Sequence, residues 1–291
     1  MERRQLEYFL AVVQSGGFTN AGRRLRVAQP SLSQAIRALE RDLGATLFHR
    51  LGRGITLTAA GEALVRPAQQ VVRDLATARS SVEQVSGLTG GRLDIVALTT
   101  LAVDPLANLV GRFRELYPLV DVRIADPEHD TAVTGMVRDG QSELGLAESA
   151  TNLDGLESLQ LADQEFFAVL PPDAGPARSA PLPVAELAAM PLIATPEGTA
   201  MRTLVDRALT VQGIAPRVAI ETTHRAAIVP LVLAGGGATL LPRAIAEDAG
   251  RRGAVVTLTA PRLVRTVQLM WRSQPLSPAA AAFLDLARPA P

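Results

Sequence analysis

The clearest chemistry in this sequence lies on one stretch near its start. Leu32, Ala35, Ile36, Leu39 and Leu43 recur at helical spacing, which assigns them inward and leaves Ser31, Ser33, Gln34, Arg37 and Arg41 facing out. Glutamine and arginine can make paired hydrogen bonds to base edges, and serine can bond bases or phosphates. The start of the helix, near Pro30, adds free backbone N–H groups that attract phosphate. Downstream, Leu47-Phe48-His49-Arg50 and Ile55-Thr56-Leu57-Thr58 flank the turn Leu51-Gly52-Arg53-Gly54. Two short strands with Arg53 at their tip make a wing able to enter a minor groove.

Two further helices position this face. Leu6, Phe9, Leu10 and Val13 form the apolar side of a first helix that stops at Gly16-Gly17, and Thr19 is expected to cap a second carrying Ala21 and Leu25 inward. Charge is uneven along the chain. Its 29 basic and 29 acidic residues cancel, yet residues 1–60 hold nine arginines against four acids, leaving +5 there and −5 on the rest. A basic head on an acidic body is the footprint of a nucleic-acid reader, although a solvated arginine-rich surface would look the same on charge alone.

The order Phe18-Thr19-Asn20-Ala21, Leu25 to Ile36, Leu39-Glu40, Leu43-Gly44 and Leu47 to Arg50 resembles the winged helix-turn-helix of LysR-type transcriptional regulators. The length and the downstream segments extend the resemblance to the whole chain. Gly22 departs from the alanine usual in the family, at a cost of up to about 1 kcal/mol inside a helix. The resemblance implies that Gln29, Pro30, Ser31, Ser33 and Gln34 touch bases or nearby backbone, that Arg53 sits in the wing, and that Arg37 and Arg50 contact phosphates, which position without reading sequence.

Thr58 is placed to cap a long helix from about 59 to 86. Along it Leu64, Ala68, Val71, Leu75, Ala78, Val82 and Val85 alternate spacings of four and three, a coiled-coil seam that needs a partner. The simplest partner is the same helix of a second chain, as the resemblance implies; the alternative is its own body. Pro67 removes one helix hydrogen bond near the start.

From Arg92 strands alternate with helices, implying parallel pairing with right-handed crossovers. Strands are expected at 93–98, 120–124 and 144–147, then at 165–170, 191–194, 218–221, 238–241 and 265–271. The fold class expected is therefore α/β behind an N-terminal all-α winged helix-turn-helix, with a periplasmic-binding-protein-like, two-lobed effector domain. The divisions expected are a head at 1–58, a linker helix at 59–87 and a body at 92–291, with lobe I at 92–161 and 267–291 and lobe II at 162–266.

Ligands of such units bind beyond the carboxyl ends of strands. Those positions are Thr99, Thr100, Asp126 and Glu148 in one lobe and Thr195, Pro196 and Thr223 in the other. Threonine hydroxyls and free N–H groups suit a carboxylate, common among effectors of the family. Asp126, Glu148 and Glu197 would instead suit an amine or a neutral hydroxylated group.

An enzyme is the rival class, but no G-x-S-x-G elbow, P-loop or H-E-x-x-H is present. A plain solute-binding protein would lack the basic head and carry a leader. The chain has no cysteine, and His49, His129 and His224 form no metal-ligand spacing, so no cofactor or metal is expected. No cleavable leader or membrane span is read, since Pro230 and Gly235-Gly236-Gly237 interrupt the longest uncharged stretch. The expected protein is cytoplasmic, dimeric or tetrameric, and binds an interrupted palindrome in double-stranded DNA and a small-molecule effector. RNA polymerase is a further partner that the resemblance allows.

Overall fold

The computed structural model describes all residues except 52–53, 85–89, 128–129, 150–152, 154, 176–179, 211–212, 215–216 and 289–291. Arg53 and Val85 therefore lie outside the described residues. Three helices build the head: α1 (Arg3–Gln14), α2 (Phe18–Leu25) and α3 (Gln29–Leu43). Their buried residues Leu6, Phe9, Val12, Ala21, Leu32, Ile36 and Leu39 share one core. Thr19 does not cap α2, because the helix begins at Phe18 with Gly17 as its N-cap, two residues before a Thr19 cap would start it. Leu43 is 40% exposed, being the last residue of α3 and beyond the reach of the core.

Gly22 has a packing reason. A methyl carbon there would sit 2.9 Å from the carbonyl oxygen of Val27, whose N–H donates back to Gly22 O at 2.9 Å. Glycine thus lets the chain fold tightly from α2 into α3 rather than loosening α2.

The wing is an antiparallel hairpin of β1 (Phe48–Leu51) and β2 (Gly54–Leu57), with Phe48 opposite Leu57. The Phe48 ring lies 5.5 Å from that of Phe9 and 5.6 Å from that of Phe18, which fastens the wing to α1 and α2. Thr58 caps α4 (Ala59–Gln84) by accepting from the Gly61 N–H at 3.0 Å. The first part of the expected seam is already covered: Leu64 and Ala68 pack into the head. Farther along, Val71, Leu75 and Val82 are exposed. The helix also touches its own body, through an Arg66–Asp139 ion pair and a Gln70–Gln274 hydrogen bond, each 2.6 Å.

The body begins with β3 (Gly91–Ala97), a short turn α5 (Thr99–Leu101), a π-type turn at Ala102–Leu106, α6 (Ala107–Leu116), β4 (Val120–Ala125), α7 (Asp130–Arg138) and β5 (Leu144–Glu148). Then come β6 (Leu156–Leu170), β7 (Leu182–Pro183), α8 (Val184–Ala189), β8 (Leu192–Ala194), α9 (Ala200–Thr210) and β9 (Val218–Glu221). The chain ends with a 3₁₀ turn at Arg225–Ala227, α10 (Ile228–Leu233), β10 (Thr239–Pro242), α11 (Arg243–Arg251), β11 (Val255–Arg272) and α12 (Pro278–Ala287).

One mixed sheet runs β10-β6-β11-β5-β3-β4, with β7 alongside β11. β3 pairs in parallel with both β4 and β5, whereas β6 and β11 pair antiparallel along nearly their full lengths. The period of two sends Leu93, Ile95 and Ala97 into one core under α6 and α12, and Val96 and Leu98 into another under α7. Burial on both faces accounts for the near-continuous apolar run of β3. β6 and β11 extend far beyond the six- and seven-residue strands expected, and α8 and α11 had no sequence counterpart. The two long strands are mostly polar over Gln160–Gln164 and Arg265–Gln268, where they cross from one α/β unit to the other. The register slips between Val267 and Gln268.

Candidate DNA-reading face and effector cleft

Over the first two and a half turns of α3, Gln29, Pro30, Ser31, Gln34 and Arg37 are exposed. Ser33, expected outward, is 6% exposed. Its hydroxyl accepts from Gln29 Nε2 at 3.0 Å, and its carbonyl accepts from Arg37 Nε at 3.3 Å. It therefore orients two neighbours instead of presenting itself. Arg50 sits opposite Ile55 in the hairpin, one residue before the wing tip. Exposed Arg23 and Arg24 add positive charge to the last turn of α2.

The second site is a cavity of about 300 Å³ where strand ends of the two α/β units meet. Leu98, Thr99 and Thr100 wall it on one side; Met201, Arg225, Ile228 and Val229 face them from the other. Thr99 Oγ1 donates to Asp126 Oδ2 at 2.6 Å and accepts from Arg225 Nη1 at 2.9 Å. Arg225 Nη1 also stands 3.2 Å from Asp126 Oδ2, so an ion pair spans the mouth. Glu148 makes another crossing, 3.1 Å from Arg207 Nη1.

Thr100 connects this cavity to the long strands. Its Oγ1 accepts from Arg265 Nη2 at 2.7 Å, and Arg265 Nε and Nη2 also donate to Gln164 Oε1 at 2.9 and 2.6 Å. Gln164 Nε2 donates to the Asp104 carbonyl at 2.6 Å, and the Arg265 guanidinium lies 5.1 Å from the Phe166 ring centroid. Gln164 on β6 and Arg265 on β11 are both buried. Such a buried, hydrogen-bonded network specifies one arrangement of the groups it joins.

Thr195, Pro196 and Thr223 do not reach the cavity. Thr195 is 2% exposed and its hydroxyl is shared with Thr199 Oγ1 at 2.6 Å, while Thr223 is exposed outside it. Being at the end of a strand did not decide where these side chains point. Arg225, two residues after Thr223, was missed: its one sequence signal is a cation following a strand end in the second unit. Arg265 and Gln164 carry no such signal: Arg265 opens the strand expected at 265–271 and Gln164 immediately precedes the one expected at 165–170, and neither follows a strand end.

Residues 3–62 match the family pattern described as "Bacterial regulatory helix-turn-helix protein, lysR family", and residues 86–290 match "LysR substrate binding domain". This chain belongs to the LysR family. It is a DNA-binding transcriptional regulator with an effector-binding domain, and the enzyme reading falls. Among curated relatives of this LysR regulator, IlvR of Caulobacter vibrioides is 29% identical over 98% of this chain and 97% of its own. TcbR of a Pseudomonas species is 27% identical over 99% and 98%. The regulator shares its fold with the crystal structure of CbnR, at 23% identity and a TM-score of 0.72 over 99% of this chain and 98% of that one. A full-length OxyR from Pseudomonas aeruginosa aligns with a TM-score of 0.76 at 23% identity over 99% and 93%. Among the described residues of the LysR regulator, no helix is long and apolar enough to cross a membrane, and no cluster of metal-ligating side chains occurs.

Proposed function

We propose that this LysR regulator acts as a homodimer reading an interrupted palindromic operator in double-stranded DNA, and that a small molecule held between its lobes alters the spacing of the two heads. The observation that carries the reading is the cavity walled by Thr99 and Thr100 from one lobe and by Arg225 from the other. A ligand there touches both lobes, so its affinity differs between open and closed shapes, and only that difference can shift their equilibrium. The layout is a head at 1–58, a linker helix at 59–87 and two lobes divided where β6 and β11 cross.

In the head, Gln29, Pro30, Ser31 and Gln34 meet bases, Ser33 orients Gln29, and Arg37, Arg50 and Arg53 meet phosphate and groove. The exposed Val71, Leu75 and Val82 on α4 support pairing of two such helices. A tetramer through the effector domains and contact with RNA polymerase rest on the family resemblance, as does a cytoplasmic location.

The acids that favoured an amine each have an arginine partner: Asp126 has Arg225, Glu148 has Arg207 and Glu197 has Arg202. The effector that fits has an anionic head for Thr99, Thr100 and Arg225 and an apolar body against Met201, Ile228 and Val229. Asp126 and that head compete for Arg225. Thr195, Pro196 and Thr223 lie outside this cavity.

Mapping the DNA bound by the full-length protein across its genome tests the reading. Recovered sites should share two inverted half-sites with a spacer, because a two-fold dimer needs matched halves. Sites without a dyad would overturn the dimer reading.

A further inference from the structure

A second cavity, of about 730 Å³, opens between α1, α4 and the β3–β4 side of lobe I. Arg3, Arg73, Arg92 and Arg123 line it. Two of these have their own acids: Arg3 pairs with Glu7 at 2.7 Å and Arg92 with Asp94 at 2.6 Å. The remaining acid in the wall, Glu143, accepts from the Ser277 N–H and hydroxyl at 2.6 and 2.8 Å, and its charge favours the charged forms of Arg73 and Arg272 without outweighing their burial. Among the described residues Arg73 and Arg123 have no acid within ion-pair distance.

Behind the wall, Arg272 approaches Arg73 across Gly140. A methyl carbon on Gly140 would lie 3.2 Å from Arg272 Nη1 and 3.4 Å from Arg73 Nε. Both Nε atoms are buried without a hydrogen-bond partner among the described residues. Two partly desolvated like charges raise the energy of the empty site, and a bound anion reverses the sign of that interaction. Burial, with the charge of Arg272 adding to it, holds the Arg73 guanidinium below its ordinary range, and burial does the same to Arg272.

We propose that this cavity is a second ligand site, separate from the interlobe cleft, for a small molecule bearing a phosphoryl oxyanion held by Arg73 and Arg123. Planar guanidinium groups match phosphate oxygens in geometry as well as charge. Rotating the amide of Gln69, whose Oε1 is buried and unpartnered, would add a third donor. The walls belong to the head, the linker helix and lobe I, so occupancy fastens the DNA-reading head to the effector domain. The site offers a second input to the regulator proposed above, and it does not depend on how the interlobe cleft is used.

Thermal melting of the full-length protein in sodium chloride, inorganic phosphate and glycerol 3-phosphate at matched ionic strength tests this. Either phosphate should raise the melting temperature saturably, by about 3–5 °C at about twenty times its Kd. A larger rise with glycerol 3-phosphate at equal concentration identifies an ester as the ligand class, and equal rises identify the free oxyanion. Arg73→Gln should lose the rise, yet melt no lower than wild type in chloride, because it removes a cation whose burial outweighs the pull of Glu143 and Asp94. Arg123→Gln, on the exposed strand β4, should weaken phosphate binding without changing the melt in chloride. Arg37→Gln, in the head, should keep the full rise. The proposal fails if chloride produces the same rise, if Arg73→Gln and Arg123→Gln retain it, or if Arg37→Gln abolishes it.

Discussion

Replacing Thr100 by valine preserves volume and removes the hydroxyl that the cleft shares with the crossing strands. Arg265 is 3% exposed and donates to Thr100 Oγ1 at 2.7 Å. A hydrogen bond to a charged group contributes about 1.5–3 kcal/mol, and stripping one from a buried cation also forfeits its desolvation. Valine leaves two bonds from Arg265 to Gln164 and the Phe166 ring in place, so the cost falls at the lower end, about 1.5 kcal/mol. The melting temperature should drop by about 3–6 °C. Trp271, the one tryptophan, lies on β11 and reports unfolding of the effector domain without signal from the head. A double-mutant cycle isolates the pair: Thr100→Val, Arg265→Met and both together, each followed by Trp271 fluorescence in urea. A coupling of about 1–2 kcal/mol is expected, with Thr100→Val nearly silent once Arg265 is gone. Additivity within about 0.5 kcal/mol would falsify the claim that Thr100 links cleft and hinge.

Other perturbations follow from the same geometry. Gln29→Ala should weaken operator binding by about 1–3 kcal/mol and spare non-specific DNA, whereas Arg50→Ala should weaken every sequence and reduce the salt slope by about one; anisotropy titrations across salt separate them. Val71→Glu with Leu75→Glu should give a monomer in light scattering and a weakened operator complex, and an unchanged mass counts against the seam. Gly61→Ala drives a methyl into the Leu47 carbonyl and to 2.8 Å from Leu57 Cδ2, so the head should lose about 1–3 kcal/mol in a thermal melt. Wild-type melting there means that the wing yields to the added methyl.

Much of the head was readable residue by residue. The stripe Leu32, Ile36 and Leu39, the stop of α1 before Gly16-Gly17 and the Thr58 cap are relations within a few positions, and helical geometry alone turns them into structure. The parallel order of β3, β4 and β5 was readable too, because apolar runs separated by helices leave few topologies. The long strands were not. Where β6 and β11 cross between lobes, Asp163, Gln164 and Arg265 break the apolar pattern, and pairing with each other sustains the strands there instead of burial of an apolar face.

Residue type and strand-end position pointed to Thr99 and Thr100, and both line the interlobe cavity because they follow directly from the chain leaving β3. The same rule put Thr195 in the cleft, yet Thr199 four residues on takes its hydroxyl. Tertiary packing also turned Ser33 inward and covered Leu64 and Ala68 with the head, though their spacing alone suited a partner helix. Arg225 reaches Thr99 across 126 positions and Arg265 reaches Thr100 across 165. Helix periodicity and capping act within one or two turns, so the linear order records them. Which guanidinium meets which hydroxyl depends on how distant strands register and cross, and only the folded chain brings those partners within hydrogen-bonding distance.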